Sequence, residues 1–157
     1  IESARFNLGD GDPIEVPVKL RVHESVFVPL AKWAMLMTGN YRCVQKDQMR
    51  PIKDAVHSDI EASRAVYDWV VNLCIGLGGQ AADFVPFEKY AKAATSLASP
   101  SSAARALADG AQKIERVDKL VALIAAQKGM RLEAIDAAVG MVDEWLTRNQ
   151  AANQKED

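Results

Sequence analysis

The chain has 157 residues, 49% of them apolar and 25% charged, and its 19 Lys and Arg against 21 Asp and Glu leave a formal net charge of −2. That length and balance fit one compact domain, exclude a disordered tail, and argue against a binder of duplex nucleic acid, which concentrates surplus Lys and Arg on one face. No apolar run reaches the roughly 18 to 20 residues that cross a bilayer. The opening Ile1-Glu2-Ser3-Ala4-Arg5 has no signal-peptide architecture, so a soluble, cytoplasmic protein without a membrane partner is expected. Because the first residue is not Met, a piece of something larger is expected too.

In chain order, residues 4–8 and 14–22 carry strand-like patterns, and Gly9-Asp10-Gly11-Asp12-Pro13 between them has turn chemistry, which predicts a small hairpin with Pro17 on an edge. From Ser25 the period becomes helical. Ser25 is placed to cap a segment ending near Gly39, with Val26, Leu30, Trp33, Leu36 and Met37 on its apolar face. Pro51 suits a first helical turn, and the apolar stripe that follows predicts one long central helix to Leu77, ended by Gly76, Gly78 and Gly79. Pro86 opens a helix to about Leu97, and Ser99 with Pro100 reads as a cap and a first helical residue. Two further helices follow, Ile114 to Ile124 stopped by Gly129, then Leu132 to Leu146, with a fraying polar tail at 150–157. The expected fold is mainly α: a helical bundle with a long central helix and a short N-terminal β hairpin. Cys43 and Cys74, a lone and distant pair, exclude an all-cysteine zinc cage and read as buried thiols.

Several patterns imitate functional motifs. Gly9-Asp10-Gly11 lacks the third small residue of a dinucleotide fingerprint, while Gly76-Leu77-Gly78-Gly79-Gln80-Ala81 matches G-x-G-x-x-A but continues a helical stripe, so a helix stop is the better reading. His23 and His57 lack metal-ligand spacing, and Asp10 with Asp12 start a calcium-like loop that Pro13 spoils, so no metal is expected. Two stretches hold more. Lys32, Asn40 and Arg42 surround a helix end, where polar groups can converge on a ligand, although an ordinary amphipathic helix with a glycine stop explains them equally. Ser101 and Ser102 offer hydroxyls at a helix N-terminus, Arg105 lies one turn along, and Glu115 can exchange a proton. The bland alternative is a capped helix followed by a solvated, salt-paired face of Glu115, Arg116 and Asp118.

The order of these segments resembles the C-terminal helical domain of the ketopantoate reductase (2-dehydropantoate 2-reductase) family, within the class of helical domains like that of 6-phosphogluconate dehydrogenase. The residues that carry it are Trp33-Ala34-Met35-Leu36, the helix from Pro51, Ser101-Ser102-Ala103-Ala104-Arg105-Ala106 with Gly110, Glu115-Arg116-Val117-Asp118, and Gly129-Met130. The resemblance implies that residues 1–22 lead from a missing nucleotide-binding domain, and that 23–149 form a substrate and dimerisation domain. It further implies an N-terminal Rossmann domain that holds NADPH or NADH, and a cleft closed over an α-keto acid or related small carbonyl substrate.

The departures bear on mechanism. The family's catalytic Lys falls on Met35 and the Asn four residues later on Gly39; a thioether does no acid chemistry, so Lys32, one turn away, is the candidate substitute, with Glu115 as its acidic partner. Glu115 matches only with one residue inserted, and the family's Asp has become Ala106, which leaves a different carbonyl substrate or a retired site open. Asn40, Ser101 and Ser102 are candidate substrate contacts, and Arg42 or Arg105 is suited to grip a carboxylate by two parallel hydrogen bonds. By itself this chain is not expected to be catalytic. The rival expectation is a non-catalytic helical interaction or oligomerisation module anchored by Trp33, Trp69 and Trp145.

Overall fold

A computed structural model describes residues 4–7, 9, 11–15 and 25–154. The expected hairpin is present but short: β1 (Arg5–Phe6) pairs antiparallel with β2 (Ile14–Glu15), with Arg5 opposite Glu15 and Phe6 opposite Ile14. Gly9 enters the turn at φ +98°, where a side chain would be strained, and its amide donates to Asn7 Oδ1 at 2.8 Å. Pro17 and the rest of the expected second strand lie outside the described residues, as does His23.

From residue 28 to residue 43 the chain is continuously helical but changes pitch. A 3-10 turn (Val28–Leu30) leads into α1 (Ala31–Met35), then a π-helical turn (Leu36–Asn40), then a second 3-10 turn (Tyr41–Cys43). Gly39 therefore does not stop the helix. Nor does Ser25 cap it: its hydroxyl accepts from the Phe27 amide at 3.1 Å and donates to Asp83 at 3.0 Å, ahead of the helical turns.

The long helix expected from Pro51 to Leu77 is two helices, α2 (Ile52–His57) and α3 (Ile60–Gly76). Asp59 breaks the stripe because its backbone is extended and its carboxylate accepts from the Ala62 amide at 2.9 Å, the local bond that makes Asp a better cap than helix interior. The first amides of α2, which Pro51 cannot cap, donate instead to Ser99 and Leu97 carbonyls at 3.1 and 3.0 Å. Beyond α3 come α4 (Phe87–Ala94), α5 (Ser102–Ala108), α6 (Val117–Gln127) and α7 (Glu133–Asn153). Ser101, rather than Ser99, caps α5, so Pro100 lies outside that helix. The end of α7 is helical through Asn153 where fraying was expected from Gln150. Side chains hold it: Asn149 donates to the Leu107 and Ala111 carbonyls, and Gln150 to that of Gln112.

The core lies where α3 crosses the pitch-changing helix and receives α2, α4 and α7. Met37, Cys43, Val56, Val70, Leu73, Leu107, Val121 and Val142 are fully buried, and both cysteines are free thiols. Tyr67 stacks on Tyr90 and meets Phe87 edge to face, each at 5.4 Å, while its hydroxyl donates to the Val85 carbonyl at 2.7 Å. Trp33, Trp69 and Trp145 are partly buried against this core; Trp145 donates from Nε1 to the Gln45 carbonyl at 2.8 Å.

Candidate functional site

The π turn decides what faces outward from the first helix. Tyr90 lies so close to Gly39 that a Cβ there would collide with its oxygen, and the phenol donates to the Met35 carbonyl at 3.1 Å. A hydroxyl inserted into the helical ladder widens it, and each π turn carries one residue more than an α turn. The residue one turn beyond Met35 is consequently Asn40, not Gly39.

Asn40 contributes to a cleft of about 350 Å³, whose polar lining comes from Asn40, Ser102, Lys113 and Glu115. Leu36, Ala103, Ala106, Ile114 and Val117 supply its apolar walls. Three separate segments therefore meet there: the π turn, the first turn of α5, and the non-helical stretch before α6. A larger cavity of about 430 Å³ lies beside Trp69, Ala122, Ala126 and Met130, but its charged residues, Arg131 and Asp136, are already paired at 2.6 Å.

Two anchors fix the cleft wall that bears Glu115. The buried Tyr41 hydroxyl donates to the Glu115 carbonyl at 2.7 Å and accepts from the Val117 amide at 3.0 Å, serving as the cap that Arg116 does not give α6. Burial pushes the Tyr41 phenol above its ordinary pKa, with the carboxylates of Asp118 and Glu115 adding to the rise and backbone hydrogen bonds opposing it, so it remains a neutral hydroxyl able to do both. On the other side Arg116 grips the fully buried Asp118 with two hydrogen bonds of 2.9 and 2.8 Å and reaches Asp143 at 2.5 Å. Hydrogen bonding to Asp118 raises the Arg116 pKa. The Asp143 carboxyl is pushed up by burial, yet the hydrogen bond and charge of Arg116, with help from Lys119, leave it lowered overall. Arg116 and Asp118 are thus an internal clamp, whereas the expected solvated face had both in water.

The other sequence candidates stand elsewhere. Lys32 is exposed on α1, one turn before Leu36, and does not line the cleft. Ser101 is buried beneath it, its hydroxyl donating to the Asn40 carbonyl at 2.8 Å and accepting from the Ala104 amide at 3.2 Å, which positions Asn40 and caps α5. Arg42 turns away and donates to the Thr38 carbonyl and the Ser63 hydroxyl. Arg105 is exposed and also outside the lining. Sequence reading left Lys113 out of the candidates, and no periodic signal marks it: the non-helical stretch 111–116 brings Lys113, Ile114 and Glu115 to the cleft together.

Gly76 to Ala81 does not follow a strand. It ends α3, with Gly78 at φ +114° and the Gly79 amide bonded back to the Cys74 carbonyl, so these residues do not fit a dinucleotide. Among the described residues no group of three or more His, Cys, Asp or Glu side chains is arranged to hold a metal ion, and no helix is long and apolar enough to cross a membrane. No family model matches the chain, and no curated protein or solved structure matches it.

Proposed function

We propose that this chain is the substrate-side domain of an NAD(P)H-dependent reductase of ketopantoate reductase type, acting on a small α-keto acid or related carbonyl. The observation that carries the reading is the meeting of Asn40, Ser102, Lys113 and Glu115 on one cleft of about 350 Å³. The π turn that brings Asn40 one turn beyond Met35 supports it, because the resembled family has an Asn one turn beyond its catalytic Lys.

A nicotinamide cofactor, held by a separate nucleotide-binding domain as the resemblance implies, would supply the hydride that reduces the carbonyl carbon. Within this chain, Lys113 offers N–H donors and takes the acid role that Met35 cannot, giving a proton to the carbonyl oxygen as it becomes an alcohol. Glu115 holds the resulting hydroxyl. Asn40 and Ser102 orient the substrate's carboxylate by hydrogen bonds, and Leu36, Ile114 and Val117 exclude water from its carbon chain. Lys32 leaves the mechanism in this arrangement. A cytoplasmic location accords with the two free thiols.

The test is to titrate the isotope-labelled chain with pyruvate and with a branched 2-keto acid, following backbone amides by NMR. Shifts centred on Asn40, Ser102, Lys113 and Glu115, lost in Lys113→Gln, are expected. Shifts absent from those residues reject the cleft as the carbonyl site. A second reading, a non-catalytic association module, is favoured by Leu120 and Leu123, neighbours on α6 that are 45% and 58% exposed. It forecasts self-association that Leu123→Glu abolishes and no response to keto acids.

A further inference from the structure

A second concavity, about 240 Å³, lies between the segment after the first helix and the start of α7, and it shares no lining residue with the cleft. Tyr41 faces the cleft; Arg42, next along the helix, faces this pocket together with Arg50. Two guanidinium groups at one small pocket normally share a carboxylate, yet among the described residues neither Arg42 nor Arg50 forms an ion pair.

Their bonds within the protein go to neutral groups. Arg42 Nη1 donates to the Thr38 carbonyl and the Ser63 hydroxyl, while Arg50 donates from Nε to the Arg42 carbonyl at 2.8 Å and from Nη1 to the Ser58 hydroxyl at 3.3 Å. These bonds hold both side chains in place and leave Nη2 of each, and Nε of Arg42, without an acceptor among the described residues. Burial lowers the Arg42 pKa, and the like charge of Arg50 lowers it further, with Asp59 opposing; a bound anion would relieve that crowding.

The opposite wall adds a compatible feature. Ala134, which lines the pocket, belongs to the first turn of the 21-residue α7, and the preceding Leu132 supplies no side-chain cap. The amide end of that helix therefore faces the two guanidinium groups, with Glu133 and Asp136 in the same turn offsetting part of its positive charge and Asp136 itself held by Arg131. The remaining wall, Ala137 and Met141, is apolar.

We propose that this pocket binds an oxyanion, a phosphate or carboxylate group of a small molecule, through Arg42 and Arg50, with an apolar portion of the ligand lying on Ala137 and Met141. Guanidinium groups match oxyanions with paired donors, and three oxygens use more of the free donors than two, so phosphate binds more tightly than carboxylate. The site stands apart from the reductase reading and survives its failure.

The experiment compares inorganic phosphate, phenyl phosphate and benzoate at constant ionic strength set with chloride, following the amides of Gln45, Arg50 and Ala134 by NMR. Expected are saturable shifts at those residues, tightest with phenyl phosphate. Affinity falls about tenfold or more in Arg50→Gln, as removal of a charge-assisted hydrogen bond requires. Ala137→Glu, an exposed position whose change leaves the core untouched, places a carboxylate at the pocket and abolishes binding. Equal responses in wild type and both variants, or none beyond that with chloride, would overturn the site. Tighter binding of benzoate than of phenyl phosphate would overturn the preference for phosphate.

Discussion

Replacing Tyr41 by Phe isolates the bond that holds the candidate catalytic segment. The ring remains in its buried place, 3% exposed, and only the hydroxyl is lost. Two partners then lose a hydrogen bond, the Glu115 carbonyl at 2.7 Å and the Val117 amide at 3.0 Å. A typical intramolecular hydrogen bond contributes about 1 kcal/mol net, and a group left buried and unpaired costs about 1 to 3 kcal/mol. Val117 is only half-buried, so water recovers part of the loss, and we expect about 2 kcal/mol less stability in urea unfolding with an unchanged m value. The damage should also be local. Hydrogen exchange at the Val117 amide should accelerate about tenfold or more relative to core amides, since each 1.4 kcal/mol is a factor of about ten. Equal stability with unchanged Val117 exchange would refute the idea that this phenol positions the Glu115 wall.

Three other outcomes follow from the same structure. Gly39→Ala drives a methyl into the Tyr90 oxygen and should cost about 1 to 3 kcal/mol, and Tyr90→Phe in the same chain should recover part of it, because the next ring atom is 3.5 Å away; additive losses in urea unfolding would contradict the contact. Asp143, whose folded-state carboxyl is held below its ordinary range by Arg116, contributes stability that is complete above the unfolded pKa of about 3.9 and lost as pH falls below it toward the folded value. The melting-temperature gap between wild type and Asp143→Asn should therefore narrow under acid conditions; a gap that widens would reverse the assignment. Cys74, with its thiol pushed up to about 11 by burial, and the equally buried Cys43 should resist a disulfide-exchange reagent in the native chain and both react in denaturant.

Much of the architecture is legible in the sequence because apolar period and punctuation agree. The stripes ending at Gly78 and Gly129 predict helix ends, and both glycines adopt the left-handed conformation that ends them. The break at Asp59 was hidden because Ile60 and Ala62 keep the apolar stripe going across it, and only the competition between an Asp side chain and the helix backbone decides the matter. The π turn was illegible for a different reason: it depends on Tyr90, distant in sequence, meeting the bare Cα of Gly39. For the same reason Asn40 could be named as a candidate while its relation to Met35 could not be read. Glu115 and Ser102, named from residue type and spacing, both line the cleft. That Lys113, not Lys32, accompanies them depends on how the stretch before α6 is pinned by Tyr41, Asn149 and Gln150, all tertiary bonds. Arg42 drew notice with Lys32 and Asn40 around a helix end and as a grip for a carboxylate, but its place beside Arg50 needed the fold.

The most direct measurement of the central claim is to read the coding sequence upstream of Ile1. The expected result is an in-frame strand followed by G-x-G-x-x-G or G-x-G-x-x-A within about 200 residues, the size of one nucleotide-binding domain. A reading frame that opens at or near Ile1 would contradict it, and the cleft of Asn40, Ser102, Lys113 and Glu115 would then belong to a binding module rather than to a reductase.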